Sequence, residues 1–347
     1  MNQHTLVLDH SDIKELMQRI SLDDFMDMMI ARLELGLAHH DPKQSVTPLR
    51  DGFLRGSNNE GIFEWMPHYE VNKCITIKNV AYTPNNPVEN KLPTIIGSLN
   101  KFDANTGQLL AVTDAIFLTA VRTGAASAVA SKHLASSQSK VLGLVGTGAQ
   151  ALTQLHALSR TFELSEVLVF DKNPAHQQSF SKRAASMGID VRLASLEDIQ
   201  KSSDIICTVT SNGIHQPPVI GDFGLKESLH INAVGSDIVG KIELPKQLLQ
   251  RAYVCPDHLG QALREGECQQ LTEKEVGYEL AQFCREPGKA QGFKDRLTVF
   301  DSTGYAFEDY LALELLIELA TELRIGKRLP IEIFSPDVLD PYSFLHK

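Results

Sequence analysis

Residues 141–151, VLGLVGTGAQA, place the strongest constraint on this chain. An apolar strand runs into Gly146 and Gly148, Ala151 completes a G-x-G-x-x-G/A spacing, and a helix, AQALTQLHALSRTF, opens at once. Gly146 allows the tight turn, Gly148 lets the backbone approach a pyrophosphate, and Ala151 keeps the helix close to the sheet. The helix N-terminus adds N–H groups and positive potential. The next strand, EVLVFD, ends in Asp171, 20 residues after Ala151. A carboxylate there accepts from ribose hydroxyls and repels a 2′-phosphate. Strand, glycines, helix, strand and acid in that order predict a dinucleotide site that prefers NAD to NADP, with Lys172 beside the acid as the one residue suited to a phosphate.

The rest of the chain reads as one such unit set into a second domain. KVLGLVG, EVLVFD, DIICTVT, HINAVG, AYVC and LTVFD are short apolar strands with helical stretches between most of them, which implies a parallel sheet with helices on both faces. DAIFLTAVRTGAASAVASKHLA, just before them, reads as a long helix rich in small residues. Two helices open the protein. Ser21 is placed as the N-cap of the second, with Asp24 at its third position and Ile20 and Phe25 as a hydrophobic staple. GIFEWM, KCITIKNVAY and PTIIGSLNKFD then read as strands, the last turning through DANTG into QLLAVT. In KCITIK, Ile75 and Ile77 share one face and Cys74, Thr76 and Lys78 the other, so the apolar face is assigned to a core and the other to a cleft. Residues 306–325 have apolar residues at helical spacing and end at Gly326, a good C-cap. The fold class expected is α/β, a Rossmann-type doubly wound parallel sheet over 119–306 inserted into a discontinuous α+β domain over 1–118 and 307–347.

Composition excludes several functions. A formal net charge of -10, with no Lys/Arg run, argues against a nucleic-acid partner. No apolar run approaches the roughly 18 residues of a membrane helix. The start, MNQHTLVLDHSD, lacks the basic-then-apolar pattern of a signal peptide. Five scattered cysteines without a CxxC fit reduced thiols in a cytoplasm. His39 and His40 are adjacent and do not share a helix face, so no metal site is read.

From about residue 40 to the end, EWMP, AVRTGAAS, VGTGAQA, NAVGSDIVGKIEL and VFDSTGYAFEDY make the chain resemble the ornithine cyclodeaminase/mu-crystallin family. The last two motifs, with GECQQL, look most like its ornithine cyclodeaminase members. The resemblance implies that Arg50, Lys78 and Arg122 hold a substrate α-carboxylate, that Glu64 helps hold the distal amine, and that Thr303 lies beside the substrate. It also implies cofactor contacts at Thr94, Arg122, Thr123, Gly146, Gly148, Ala149, Gln150, Asp171, Thr210, Val234, Gly235, Ser236, Lys241 and Ser302. A homodimer formed through the α+β segment, which would also bind substrate, is implied too.

Asp237, between Gly235 and Gly240 with Lys241 beyond, carries the chemistry on this reading. A turn aspartate capping a helix is the plain alternative. As a base at the mouth of a parallel strand it would take the proton of an α-ammonium before hydride leaves Cα. The activity implied is conversion of L-ornithine to L-proline and ammonia through transient hydride transfer to NAD+, closure of the imine and hydride return. Thr303 and Ser236 depart from the ornithine pattern and suit another amino acid, lysine included. An amino-acid dehydrogenase, a cyclic imine reductase or a lysine cyclodeaminase of the same family, and a non-catalytic crystallin-like binding protein, are the alternatives.

Overall fold

The computed structural model describes residues 4–56 and 61–345. The chain divides into two compact units, Met1–Leu22 with Asp41–Ile116 and Leu313–Lys347, and Asp23–His40 with Phe117–Ala312. The strands are β1 (Thr5–Leu8), β2 (Ser45–Val46), β3 (Asp51–Arg55), β4 (Gly61–Glu70), β5 (Cys74–Tyr82), β6 (Ile95–Asp103) and β7 (Leu109–Asp114). They continue as β8 (Val141–Val145), β9 (Glu166–Phe170), β10 (Arg192–Leu193), β11 (Ile205–Thr208), β12 (His230–Ala233), β13 (Tyr253–Pro256), β14 (Thr298–Asp301) and β15 (Lys327–Leu329). The longer helices are α1 (His10–Ile20), α2 (Leu22–His39), α3 (Ile116–Leu134), α4 (Ala149–Thr161), α5 (Pro174–Ala185) and α6 (Ala306–Glu322).

The first unit is built on a sheet in the order β15-β1-β7-β6-β5-β4-β2, with β3 also paired to β4. Its centre is an antiparallel meander whose register sets Met66, Lys78, Leu99 and Thr113 side by side. Strand β1, unread from the sequence, lies parallel to β7 and antiparallel to β15. Four residues, TLVL, are too few for alternation to show. The face assignment on β5 is corrected. Cys74, Thr76 and Lys78 are the buried residues, while Ile75 and Ile77 are partly exposed. Apolar does not always mean inside, and here the buried face of β5 carries Thr76 and Lys78 beside Cys74 and Val80.

Ser21 ends α1 at φ 83 with its N–H on Met17 O at 3.0 Å, and α2 begins at the next residue. It is therefore the C-cap of one helix at the entry of the next. The C-terminal stop is corrected too. Helix α6 closes with Ile325 N on Ala320 O at 2.8 Å and Arg324 N on Thr321 O at 3.2 Å. That double bond pattern puts the left-handed residue at Arg324, φ 57, two positions before Gly326.

The second unit is the parallel sheet, order β10-β9-β8-β11-β12-β14-β13. The order reverses between β8 and β11, the switch point at which ligands collect in such sheets. Alternation along each strand serves two cores. Val167 and Val169 join Leu142, Leu144 and Phe180 on one face, and Leu168 joins Ile206, Ile231 and Val299 on the other. Helix α3 is buried nearly all round from Leu118 to Ser131, which its alanines, glycine and serines permit without bulk.

Candidate active site

The glycine loop follows β8 and reaches across the switch point. Gly146 has φ 94, and a Cβ there would come within 2.8 Å of Val209 O, so the backbone of the β11 end leaves no room for a side chain. Gly148 is the N-cap of α4, and a Cβ there would meet nothing within 4 Å. Open space therefore stands over the α4 N-terminus, with Ala149 and Gln150 as its first residues, a cradle that suits a diphosphate. Asp171 follows β9 and accepts from Thr147 N and Thr147 Oγ1, both at 2.9 Å, and from Asn173 N at 2.8 Å. The acid thus braces the loop it was read to serve. Arg183 on α5 does the same from the other side, donating to Thr147 O at 2.7 Å. Sequence reading missed Arg183, and a lone arginine in a polar helix gives no signal.

Thr210, past the end of β11, and Val234 to Asp237, past the end of β12, lie on the same carboxyl edge of the sheet. Lys241 Nζ is 2.8 Å from Asp237 Oδ1. After β12 the next helix among the described residues begins only at Lys246, so Asp237 caps no helix opening there and is an acid at a strand mouth held by a buried lysine. Ser236, fully buried, donates to Lys241 O at 2.6 Å across the loop. Ser302, past β14, has its N–H on Ala233 O at 2.9 Å, and its buried hydroxyl has no partner among the described residues. A cofactor amide is one group that would satisfy it.

Two predicted residues donate their hydroxyls within the chain. Thr303 donates its hydroxyl to Asp257 Oδ1 at 2.9 Å, and Thr123 donates to Thr119 O at 2.7 Å. Arg122, read as a substrate clamp, is already ion-paired with Glu308 through Nη1 at 2.8 Å and with Asp309 through Nε at 3.0 Å. Burial works against its charge, and Asp309 and Glu308 more than offset that, raising its pKa. Burial pushes the Glu308 carboxyl up, against the pull of Arg122. Gly304, φ 74, covers the guanidinium, because a Cβ there would sit 2.6 Å from Nη1. Asp257 holds this turn through Gly304 N at 2.5 Å.

In the first unit, Arg50 Nε pairs with Glu64 Oε1 at 3.2 Å. Glu64, Met66 and His68 on β4 lie on the face that carries Val80, Lys78 and Thr76 on β5. Arg50, Glu64 and Lys78 are all buried, an unusual state for such charges and one that structures reserve for paired or functional groups. Thr94, just before β6, accepts at its carbonyl from Thr83 N at 2.8 Å.

The acids Asp257, Asp301, Glu243 and Glu267 were not read from the sequence, and all are buried. A signal existed for two of them. Asp257 and Asp301 stand at the carboxyl ends of their strands, as Asp171 does.

A model of the ornithine cyclodeaminase/mu-crystallin family matches residues 4–323. The chain belongs to that family. Among other members, an L-lysine cyclodeaminase of Streptomyces rapamycinicus is 42% identical, over 98% of this chain and 99% of its own. An ornithine cyclodeaminase of Brucella suis is 30% identical over 83% and 80%. A solved lysine cyclodeaminase, studied for recognition of L-lysine, L-ornithine and L-2,4-diaminobutyric acid, superposes with TM-score 0.94 at 49% identity, covering 98% and 99%. An archaeal alanine dehydrogenase dimer with bound NAD gives 0.83 at 29% identity, covering 95% and 100%. The family fold over nearly the whole chain is thereby fixed, including the Rossmann-type sheet.

Proposed function

We propose that this chain is an NAD-dependent cyclodeaminase acting on L-lysine, releasing ammonia and forming the six-membered cyclic amino acid piperidine-2-carboxylate. The motifs alone favour L-ornithine, with lysine among the alternatives. Identity of 42% and 49%, end to end, to two lysine cyclodeaminases reverses that order, and this observation carries the choice.

NAD is the cofactor, supported by relatives that bind it and by the open glycine loop with Asp171 beyond. Held by that loop and Asp171, NAD+ would supply a reversible acceptor for the Cα hydride. The chain's own residues do the rest. Asp237 takes the proton that makes the α-amine neutral, because hydride leaves poorly beside an ammonium, and later shuttles protons to departing ammonia. Arg50 and Lys78, and separately the Nη2 end of Arg122, are assigned to the α-carboxylate, and Glu64 to the distal amine. Holding that amine near Cα favours ring closure over escape of the imine.

A homodimer is part of the reading. Phe53, Phe63, Trp65, Pro67, Tyr69 and Ile77 lie on the side of the first unit's sheet that is left partly or wholly exposed, with the Phe53 and Trp65 rings 5.1 Å apart. Apolar faces of that extent are usually covered. The cytoplasm is the proposed location, since the five cysteines are all unpaired.

The test is a panel of L-lysine, L-ornithine, L-2,4-diaminobutyrate and L-alanine with NAD+, followed by ammonia and product analysis. L-Lysine should give the highest kcat/KM and a cyclic product. A preference for L-alanine with stoichiometric NADH would replace this reading by a dehydrogenase.

A further inference from the structure

The loop that carries Asp237 is closed by a buried carboxylate. Glu243 Oε2 accepts from Gly235 N at 2.8 Å, so residues 235–243 form a ring pinned at its neck. The other oxygen, Oε1, accepts from Thr210 N at 2.7 Å and Thr210 Oγ1 at 2.6 Å. Gly235 follows β12 and Thr210 follows β11, so one side chain ties together the carboxyl ends of two adjacent parallel strands. A Cβ at Gly235 would collide with the Glu243 carboxylate, which accounts for the glycine.

Glu243 is itself held in place. Its N–H is on Glu267 Oε1 at 2.6 Å, and Leu244 N is on Glu267 Oε2 at 3.2 Å. Glu267 N and Cys268 N in turn donate to Asp301 at 2.9 and 2.8 Å, at the end of β14. Three fully buried carboxylates thus run as a relay along the strand ends. Burial raises the pKa of all three acids, with Lys241 drawing only Glu243 the other way, and an apolar residue would fill this volume more cheaply. Such a relay persists where it holds something in place.

We propose that Glu243 is the positioning residue of the Asp237 loop, fixing the neck of that loop against the β11 end so that the Asp237 carboxylate is presented in one orientation. The proposal rests on the reading of Asp237 as the base. Glutamine at 243 keeps the shape and can accept from Thr210, but it turns an N–H₂ toward Gly235 N–H, so the neck opens while the rest stays bonded.

The experiment compares wild type with Glu243→Gln for kcat, KM, NADH affinity by fluorescence titration and thermal midpoint. Loss of positioning predicts a kcat at least tenfold lower at 25 °C, with KM for the diamino acid and NADH Kd each within about threefold. A lowered thermal midpoint with kcat unchanged would overturn the proposal and leave Glu243 a structural acid. If Glu243→Gln fails to fold, Glu243→Asp, which keeps the acid but shortens its reach to Gly235 N, decides between the same outcomes. Should the wild type oxidise a different amino acid, the substrate reading fails and the same comparison on that substrate still judges Glu243. A wild type with no turnover on any amino acid overturns both.

Discussion

Lys241 Nζ lies 2.8 Å from Asp237 Oδ1, the lysine side chain 4% exposed and the aspartate 33%. The lysine is buried deeper than its counter-charge, so the acid serves it electrostatically, besides its proposed role as the base. Asp237→Asn should therefore do two separable things. It should lower kcat by about 10²–10⁴, the range of a lost general base. It should also cost about 1–2 kcal/mol of stability, because a buried ammonium loses the charge beside it. Asp237→Asn with Lys241→Met should recover the stability and none of the turnover. Denaturant melts and steady-state rates on the two variants check both halves, and a double variant that regains activity would remove Asp237 from the chemistry.

Much of this arrangement was legible in the sequence, and the reason is period. The parallel strands β8, β9, β11, β12, β13 and β14 are short apolar runs bounded by turns, and the glycine loop announces itself by spacing. What escaped has no period. Glu243 and Glu267 are acids whose role appears only when distant backbone N–H groups converge on them. Ile75 and Ile77 misled because a chain's own core is not the only apolar surface it can build. Arg324 takes the left-handed cap, while Gly326, also at positive φ, lies where a Cβ would meet Leu6 and Leu8.

Gly304 should not tolerate a side chain. Its φ of 74 is strained for alanine, and the added Cβ would press on the Arg122 guanidinium. Gly304→Ala should lose about 1–3 kcal/mol of stability and raise KM for the amino acid more than the Kd for NADH. Thermal denaturation and the two affinities measure this. Equal weakening of both ligands would contradict the carboxylate role of Arg122.

Asp301 gives a pH signature. Burial pushes its carboxyl up to about 7 from 3.8, so the folded state holds a proton that the unfolded state releases. The stability this contributes is full below the unfolded value and is lost as pH rises through about 7. Asp301→Asn removes that dependence. The stability difference between wild type and variant should therefore shrink by a few kcal/mol between about pH 4 and pH 7. Urea melts at intervals of pH follow it, and a constant difference would show that Asp301 stays ionised throughout.

The five cysteines are all buried, and burial pushes the Cys74 thiol up to about 11 and those of Cys207 and Cys284 up to about 12. Thiolate is the reactive form, so a chromogenic disulfide should find no fast thiol in the native protein and all five after unfolding. A rapid native burst of one equivalent would show an opening of the fold absent from this structure.

The central claim is that hydrogen leaves Cα and returns to the same carbon while Asp237 moves protons around it. L-Lysine carrying deuterium at Cα, incubated with NAD+ far below the substrate concentration, tests this directly by mass spectrometry of the product. The account predicts cyclic product that keeps one deuterium at the ring carbon bearing the carboxylate, with no net NADH. Product carrying solvent hydrogen at that carbon, or NADH formed one for one, would contradict it.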